Sequence, residues 1–301
     1  MTDVIGDIHG HADALEKLLQ KLGYKKEKEG YRHPSRKVLF LGDYIDRGPK
    51  IRQTLEIVKA MVDAGNAVAL MGNHEYNALC FHFPEMQGGH LRKHLIKNII
   101  QHYETLKQFQ NLQKEYNAYL EWFKTLPLYY ETVNFRAVHA CWDEPSIGSL
   151  RKELANDRLT EELIYKAVTS GTVLNNAVET TLKGKEMRLP DGLKFKDKDG
   201  NERKEFRIKW WENPEEMTYK KISIEPITTL PERPLLKGEP DDYYYEEEKI
   251  VFFGHYWLKG EPYLFRDNIC CLDFSIAKNG YLAAYRIDDE SRLDLGKFVY
   301  V

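Results

Sequence analysis

The chain has 301 residues, with 44 Lys and Arg against 47 Asp and Glu, a formal net charge of −3, 42% hydrophobic and 30% charged residues. That balance fits a globular soluble chain and excludes a disordered polyelectrolyte or a molecule whose overall charge steers it to nucleic acid or membrane. The four cysteines (Cys80, Cys141, Cys270, Cys271) show no CxxC spacing, which excludes a disulfide framework. No apolar stretch reaches the ~18 residues of a spanning helix, and MTDVIGDIHG carries no leader pattern, so a reducing cytoplasm is the expected location.

In chain order, five short apolar runs read as buried strands, and each stops at a polar cluster. Thr2–Ile5 stops at Gly6-Asp7-Ile8-His9, residues 37–41 at Gly42-Asp43, and residues 67–71 at Gly72-Asn73-His74-Glu75. Phe135–Val138 stops at His139, and Ile250–Phe253 at Gly254-His255. Between the first two strands, Leu15, Leu18, Leu19 and Leu22 make one helical stripe; between the second and third, Ile51, Leu55, Val58 and Val62 make another. Residues 2–72 therefore read β-α-β-α-β with parallel strands, and ligands of such sheets gather at the carboxyl ends.

Two regions break this alternation. Residues 83–127 are helix-prone and aromatic (Tyr103, Phe109, Tyr116, Tyr119, Trp122, Phe123) and read as a helical insertion in a single 1–301 domain. Residues 183–248 are charged and proline-rich, with Trp210-Trp211 and Tyr243-Tyr244-Tyr245, and read as a cap-like excursion. Each is a packed structural insert or a grip for substrate. After His255, segments 262–266, 269–275, 281–287 and 297–301 read as strands of a second, antiparallel sheet.

The polar clusters share one chemistry. On extended backbone, positions i and i+2 point the same way, so Asp7 and His9 can reach one ion. Asp43 can bridge to a second, and Asn73, His139 and His255 complete a mixed nitrogen and oxygen set that suits Mn, Fe, Zn or Ni. Such a pair of ions acidifies a bridging water that attacks phosphorus. His74 is placed to protonate the leaving oxygen, Asp46 to hold its tautomer, and Arg47 to grip phosphate oxygens. His90 and His94 lack a third ligand and read as a solvated face. Cys141 lacks the Cys-x5-Arg loop of cysteine phosphatases and reads as a packed residue. GxGxxG and GxxxxGK[ST] are absent.

GDIHG (6–10), GDYIDRG (42–48), GNHE (72–75), VHA (138–140) and FGH (253–255) resemble the calcineurin-like metallophosphoesterases. The match is closest to the phosphoprotein phosphatase branch and its bacterial relatives, which include diadenosine tetraphosphate hydrolases. The resemblance implies an α/β fold, a four-layer β-sandwich of two mixed sheets flanked by helices. It implies one metal on Asp7, His9 and Asp43, and a second on Asp43, Asn73, His139 and His255, with manganese the first expectation. It also implies His74 as general acid with Asp46, and Arg47 on the phosphate. Eukaryotic members use a second phosphate arginine between the last two histidines; Arg188, Arg203 and Arg207 are the candidates. Cys141-Trp142, Tyr256 and Ser275 depart from the family pattern and affect the pocket floor.

The function expected first is two-metal hydrolysis of phosphate monoesters, of the serine/threonine or broad-specificity type. The alternative is hydrolysis of dinucleoside polyphosphates such as diadenosine tetraphosphate. A phosphodiesterase or nuclease ranks lower, because no basic track is present, and a non-catalytic binding module is disfavoured by the intact ligand set. The expected partner is a phosphorylated protein, small molecule or nucleotide, with no membrane and no strong nucleic-acid signal. The aromatic stretch at 210–245 is open to stacking on adenine or gripping a peptide.

Overall fold

The computed structural model describes residues 1–86, 88–196, 202–236, 238 and 244–301. All five expected strands form, each with no more than two residues between its end and its polar cluster; the second and third stop at Phe40 and Ala69. Thr2–Ile5 pairs in parallel with Lys37–Phe40, which pairs in parallel with Ala67–Ala69. These runs show no polar alternation because helices or the other sheet cover both faces. The crossovers are the helices Ala12–Lys21 and Ile51–Asp63. Leu15, Leu18, Leu19, Leu22, Ile51, Leu55 and Val58 are all buried, so each predicted stripe faces the core.

A second sheet holds Phe135–Val138, Ile250–Phe253 and Ile269–Cys271 in parallel, with Tyr129–Glu131 antiparallel on its edge. Phe252 of this sheet meets Tyr285 of the first with ring centroids 5.3 Å apart. At the rim the sheets close tightly: a Cβ on Gly6 would stand 2.1 Å from the Leu272 carbonyl oxygen, so only glycine fits there. Helices Glu144–Glu153 and Val173–Lys183 pack on each other. Their Ile147, Leu150, Ala177 and Val178 join the same core as both sheets. Two mixed sheets flanked by helices give the expected four-layer α/β sandwich.

The segments after His255 do not form one antiparallel sheet. Tyr281–Ile287 runs antiparallel to Thr2–Ile5 inside the first sheet, with Phe298–Tyr300 and Asp273–Phe274 paired to it. Ile269–Cys271 instead joins the second sheet in parallel. Ile269, Cys270 and Cys271 are fully buried, and a strand apolar on both sides must lie within a sheet covered on both faces. Residues 262–266 form no strand: Pro262 has no N–H to give a ladder, and only Arg266 makes an isolated bridge, to Ile269.

The helical insertion holds Ile96–Gln108 and Gln113–Phe123. Phe109, Tyr116, Tyr119, Trp122 and Phe123 are buried, while Tyr103 is exposed. The excursion has a small core of its own, built on Met187, Phe206, Ile208, Tyr219, Ile222 and Leu230. Its tryptophans tie it to the sandwich. Trp210 packs on Phe253 at 5.1 Å and Trp211 on Phe265 at 4.5 Å. Trp210, Trp211 and Tyr245 are at most 1% exposed, so they anchor the excursion and do not stack on a ligand. Tyr243 lies outside the described residues.

Candidate metal centre

Seven residues around the strand ends hold left-handed backbone: His9, Asp43, Asp46, Arg47, His255, Trp257 and Ser275, with φ between 45° and 74°. Such conformations cost non-glycine residues on the order of 1–3 kcal/mol each and persist only where the surroundings over-determine them. Buried side chains supply that support by accepting backbone N–H groups. Glu75 accepts from Gly72, Asp43, Tyr44 and Ile45 at 3.0, 2.9, 2.8 and 3.3 Å. The Thr105 hydroxyl oxygen accepts from Asp46 (3.0 Å). Asp7 accepts from His255 (3.1 Å), and Asp273 from Trp257 (2.7 Å) and Ser275 (3.0 Å). Burial and the neighbouring Asp43 push the Glu75 carboxyl up to about 7.

The loops so held aim side chains at Asp43. The donor atoms of His9, Asp43 and His74 lie within 4.8 Å of one another, and so do those of Asp43, His139 and His255. The two groups share the Asp43 carboxylate, and the first holds His74 where the sequence reading put Asp7. His9 Nε2 stands 3.5 Å and His139 Nε2 3.4 Å from the Asp43 carboxylate. Asn73 Oδ1 lies 3.0 Å from His139 Nε2 and 2.8 Å from His255 Nδ1.

Three features fit this donor set to divalent cations. First, His9 Nδ1 donates to the Ile45 carbonyl (3.0 Å) and His139 Nδ1 to the Leu41 carbonyl (2.8 Å). A carbonyl only accepts, so each ring presents its Nε2 toward Asp43 in the tautomer that ligates metals. Second, His9 Nε2 and His255 Nε2 are buried with no hydrogen-bond partner, a costly state for a polar atom. Third, burial pushes His9 down to about 3, and burial with the field of Arg207 pushes His255 down, so both stay neutral as ligands must. Burial alone would raise Asp43, but the imidazoles of His139, His74 and His9 hold its carboxyl well below the usual range. Burial opposes a charge on His139, yet the Asp43 carboxylate pushes that imidazole up; the same field favours a cation between them.

Extended-strand alternation does not place Asp7. The residue follows the end of its strand, and His9 sits on left-handed backbone, so alternation does not set where the two side chains point. Asp7 falls outside both compact donor groups among the described residues. Its oxygens hold the His255 N–H, 3.1 and 3.3 Å away. A Cβ on Gly254 would stand 2.0 Å from Asp7 Oδ1, which explains glycine before His255. Burial, Asp273 and Asp43 push the Asp7 carboxyl up, the state of an acidic cluster that a cation would relieve.

His74 Nδ1 donates to Asp46 Oδ2 at 2.5 Å, and its Nε2 looks toward Asp43 Oδ2 at 3.9 Å. Asp46 has further partners that sequence reasoning missed. His102 Nδ1 donates to its Oδ1 (2.7 Å), the Thr105 hydroxyl donates to the same oxygen (2.6 Å), and Tyr116 OH lies 2.9 Å from His102 Nε2. Burial would raise Asp46, but His102 and His74 hold it well below the carboxylate range. His102 and Thr105 share one face of the Ile96–Gln108 helix by their i, i+3 spacing, the one sequence signal that could have paired them. Asp273 and Trp257 were missed too, since neither belongs to a recognised motif. Arg47 is exposed and lies over the Trp257 ring at 4.1 Å. Of the three candidate second arginines, Arg207 is the one whose charge is felt by His255.

The model of the calcineurin-like phosphoesterase family matches residues 2–271. The chain belongs to that family. This metallophosphoesterase is 35% identical over 174 residues to bis(5'-nucleosyl)-tetraphosphatase PrpE (asymmetrical) of Oceanobacillus iheyensis, spanning 56% of this chain and 67% of that one. It is 24% identical over 304 residues to the symmetrical bis(5'-nucleosyl)-tetraphosphatase of Marinomonas sp., spanning 97% and 95%. A protein serine/threonine phosphatase from Saccharomyces cerevisiae with similarity to human phosphatase PP5 matches with a TM-score of 0.51. It is 13% identical and covers all of this chain and 78% of that one; the likeness concerns the fold alone. Family membership makes the chain a metal-dependent phosphoesterase. No helix among the described residues is long and apolar enough to cross a membrane.

Proposed function

We propose that this metallophosphoesterase hydrolyses dinucleoside polyphosphates, with a dinucleoside tetraphosphate as the typical substrate. The observation that carries the hydrolytic centre is the pair of donor groups sharing Asp43. The choice of substrate draws on the names of the relatives above, which favour the dinucleotide over the phosphomonoester that the motifs alone put first. In this reading His9 and Asp43, joined by Asp7 from the adjoining acidic cluster, would hold one divalent cation, and Asp43, Asn73, His139 and His255 would hold a second; the mixed nitrogen and oxygen donors suit manganese, iron, zinc or nickel, and the family resemblance puts manganese first. Cations bound there would acidify the attacking water and stabilise negative charge on the phosphoryl oxygens.

The chain's own groups do the rest. Arg47, exposed over Trp257, and Arg207, whose charge reaches His255, would grip non-bridging oxygens of the phosphate chain. The attacking water, its proton released to solvent, adds as hydroxide to one phosphorus, the P–O bond of the anhydride breaks, and the bonding pair leaves on the departing phosphate. His74, protonated on both ring nitrogens, would donate a hydrogen bond from Nε2 to that departing oxygen and would fully protonate a more basic leaving group, while Asp46 orients the ring through Nδ1–H. A second reading, phosphomonoester hydrolysis, is favoured by the four-residue network His74–Asp46–His102–Tyr116. So heavily braced an acid suits an alkoxide leaving group, which must be protonated to leave. Manganese-supplemented hydrolysis of a dinucleoside tetraphosphate, a phosphoserine peptide and p-nitrophenyl phosphate, run side by side, separates the two. A kcat/KM for the phosphopeptide above that for the dinucleotide would overturn the first reading.

A further inference from the structure

A cavity of about 650 Å³ lies between the excursion and the loop that follows His255. The excursion contributes Phe195 and residues 224–229; the loop contributes residues 256–259 and Tyr263. Trp257 is shared between this cavity and the metal centre. Its N–H is held by Asp273 at 2.7 Å, and its ring stacks on His9 with centroids 5.5 Å apart and planes 27° from parallel. The Arg47 guanidinium lies 4.1 Å and the Lys278 ammonium 4.4 Å from the same ring. A left-handed φ of 56° at a tryptophan is strain held in place by a buried carboxylate, and it sets the ring at the boundary between the two spaces.

The lining has a definite chemistry. Phe195 and Tyr263 present aromatic surface, Trp257 closes the end toward the metal centre with its faces taken by His9, Arg47 and Lys278, and Lys196 and Lys259 are exposed cations; Glu225 is the acidic residue among the described lining. The volume falls within the range of small-molecule sites, roughly 300–1,000 Å³. Aromatic faces with cations beside them are how proteins hold a base stacked next to its phosphates, and a carboxylate on the wall can accept from ribose hydroxyls or an exocyclic amine. A phosphate chain running from the metal centre past Trp257 would meet Arg47 and Lys278, and a nucleoside attached to it would reach the cavity.

We propose that this cavity binds one nucleoside of the substrate, with Phe195 and Tyr263 as its stacking surfaces, so that the excursion selects nucleotides. This rests on the dinucleoside polyphosphate reading above and adds where the base sits. The alternative occupant is a side chain of a phosphoprotein.

The test uses the full chain loaded with manganese. A 2-azidoadenosine polyphosphate is photolysed on the protein and the labelled peptides are identified. Labelling within 194–196, 224–229 or 256–263, blocked by a dinucleoside tetraphosphate and not by inorganic phosphate, is the expected result. Phe195→Ala should raise KM for the dinucleotide about tenfold more than it raises the inhibition constant of inorganic phosphate. Thr228→Trp, at an exposed wall position, should do the same by filling the space. Labelling elsewhere, protection by a phosphoserine peptide in place of the dinucleotide, or equal shifts for dinucleotide and phosphate would overturn the nucleoside site. If p-nitrophenyl phosphate is cleaved and the dinucleotide is not, the substrate reading fails on its own; azido-labelling then still decides what the cavity binds.

Discussion

Replacing His74 with asparagine separates the leaving-group role from every other role at the centre. His74 makes two polar approaches, Nδ1 to Asp46 at 2.5 Å and Nε2 toward Asp43 at 3.9 Å. Asp46 keeps His102 and Thr105 on its other oxygen, so its carboxylate is not orphaned. One charge-assisted hydrogen bond is lost, about 1.5–3 kcal/mol before any replacement by the new amide, and the protein should stay folded. A positioned general acid contributes about 10²–10⁴-fold, or roughly 3–5 kcal/mol of barrier. That full loss should appear with an alkyl phosphate, whose alkoxide cannot leave unprotonated. It should shrink to about tenfold or less with p-nitrophenyl phosphate or a dinucleoside tetraphosphate. The nucleotide phosphate leaving from the latter has a second pKa near 6 and departs as an anion at neutral pH. The assay is kcat on the three substrates with metal content measured in parallel. Equal losses on all three, with metal retained, would remove His74 from the acid role.

Other outcomes follow from the same geometry. Asp43→Asn removes the carboxylate common to both donor groups; bound metal per chain should fall, and activity should drop at least about 10³-fold, as seen by elemental analysis and assay. His102→Phe takes one hydrogen bond from Asp46 without touching a proposed ligand. It should lower kcat on alkyl phosphates roughly tenfold while leaving metal content intact; lost metal would point to structural damage instead. Trp211→Ala opens a cavity beneath Phe253, Tyr256 and Phe265. It should cost about 3–5 kcal/mol of stability, read by chemical denaturation. Manganese at 100 times its Kd should raise the unfolding free energy of the wild type by about 2.7 kcal/mol, an increment absent from Asp43→Asn.

The strand ends were readable because apolar runs and polar clusters alternate sharply in residues 2–75 and again at His139 and His255. Their convergence follows from the rule that parallel sheets gather function at one edge. What escaped was set by contacts remote in sequence. His102 and Thr105 reach Asp46 across 56 and 59 positions, and no spacing rule reports such a pairing. The left-handed backbone at Asp43, Asp46, Arg47 and Trp257 escaped because none is glycine; buried acceptors such as Glu75 and Asp273 impose it. Residues 269–287 were legible as strands but not by partner, since a run apolar on both faces fits the middle of either sheet. Trp210-Trp211 suggested a ligand surface from composition, and only packing against Phe253 and Phe265 shows them to be anchors.

The central claim is a pair of cations astride Asp43. Anomalous diffraction from crystals grown with manganese measures it directly. Two peaks about 3.5–4 Å apart are expected, one on the His9 side of Asp43 and the other among Asn73, His139 and His255. A single peak, or metal bound away from Asp43 at saturating manganese, would contradict the account.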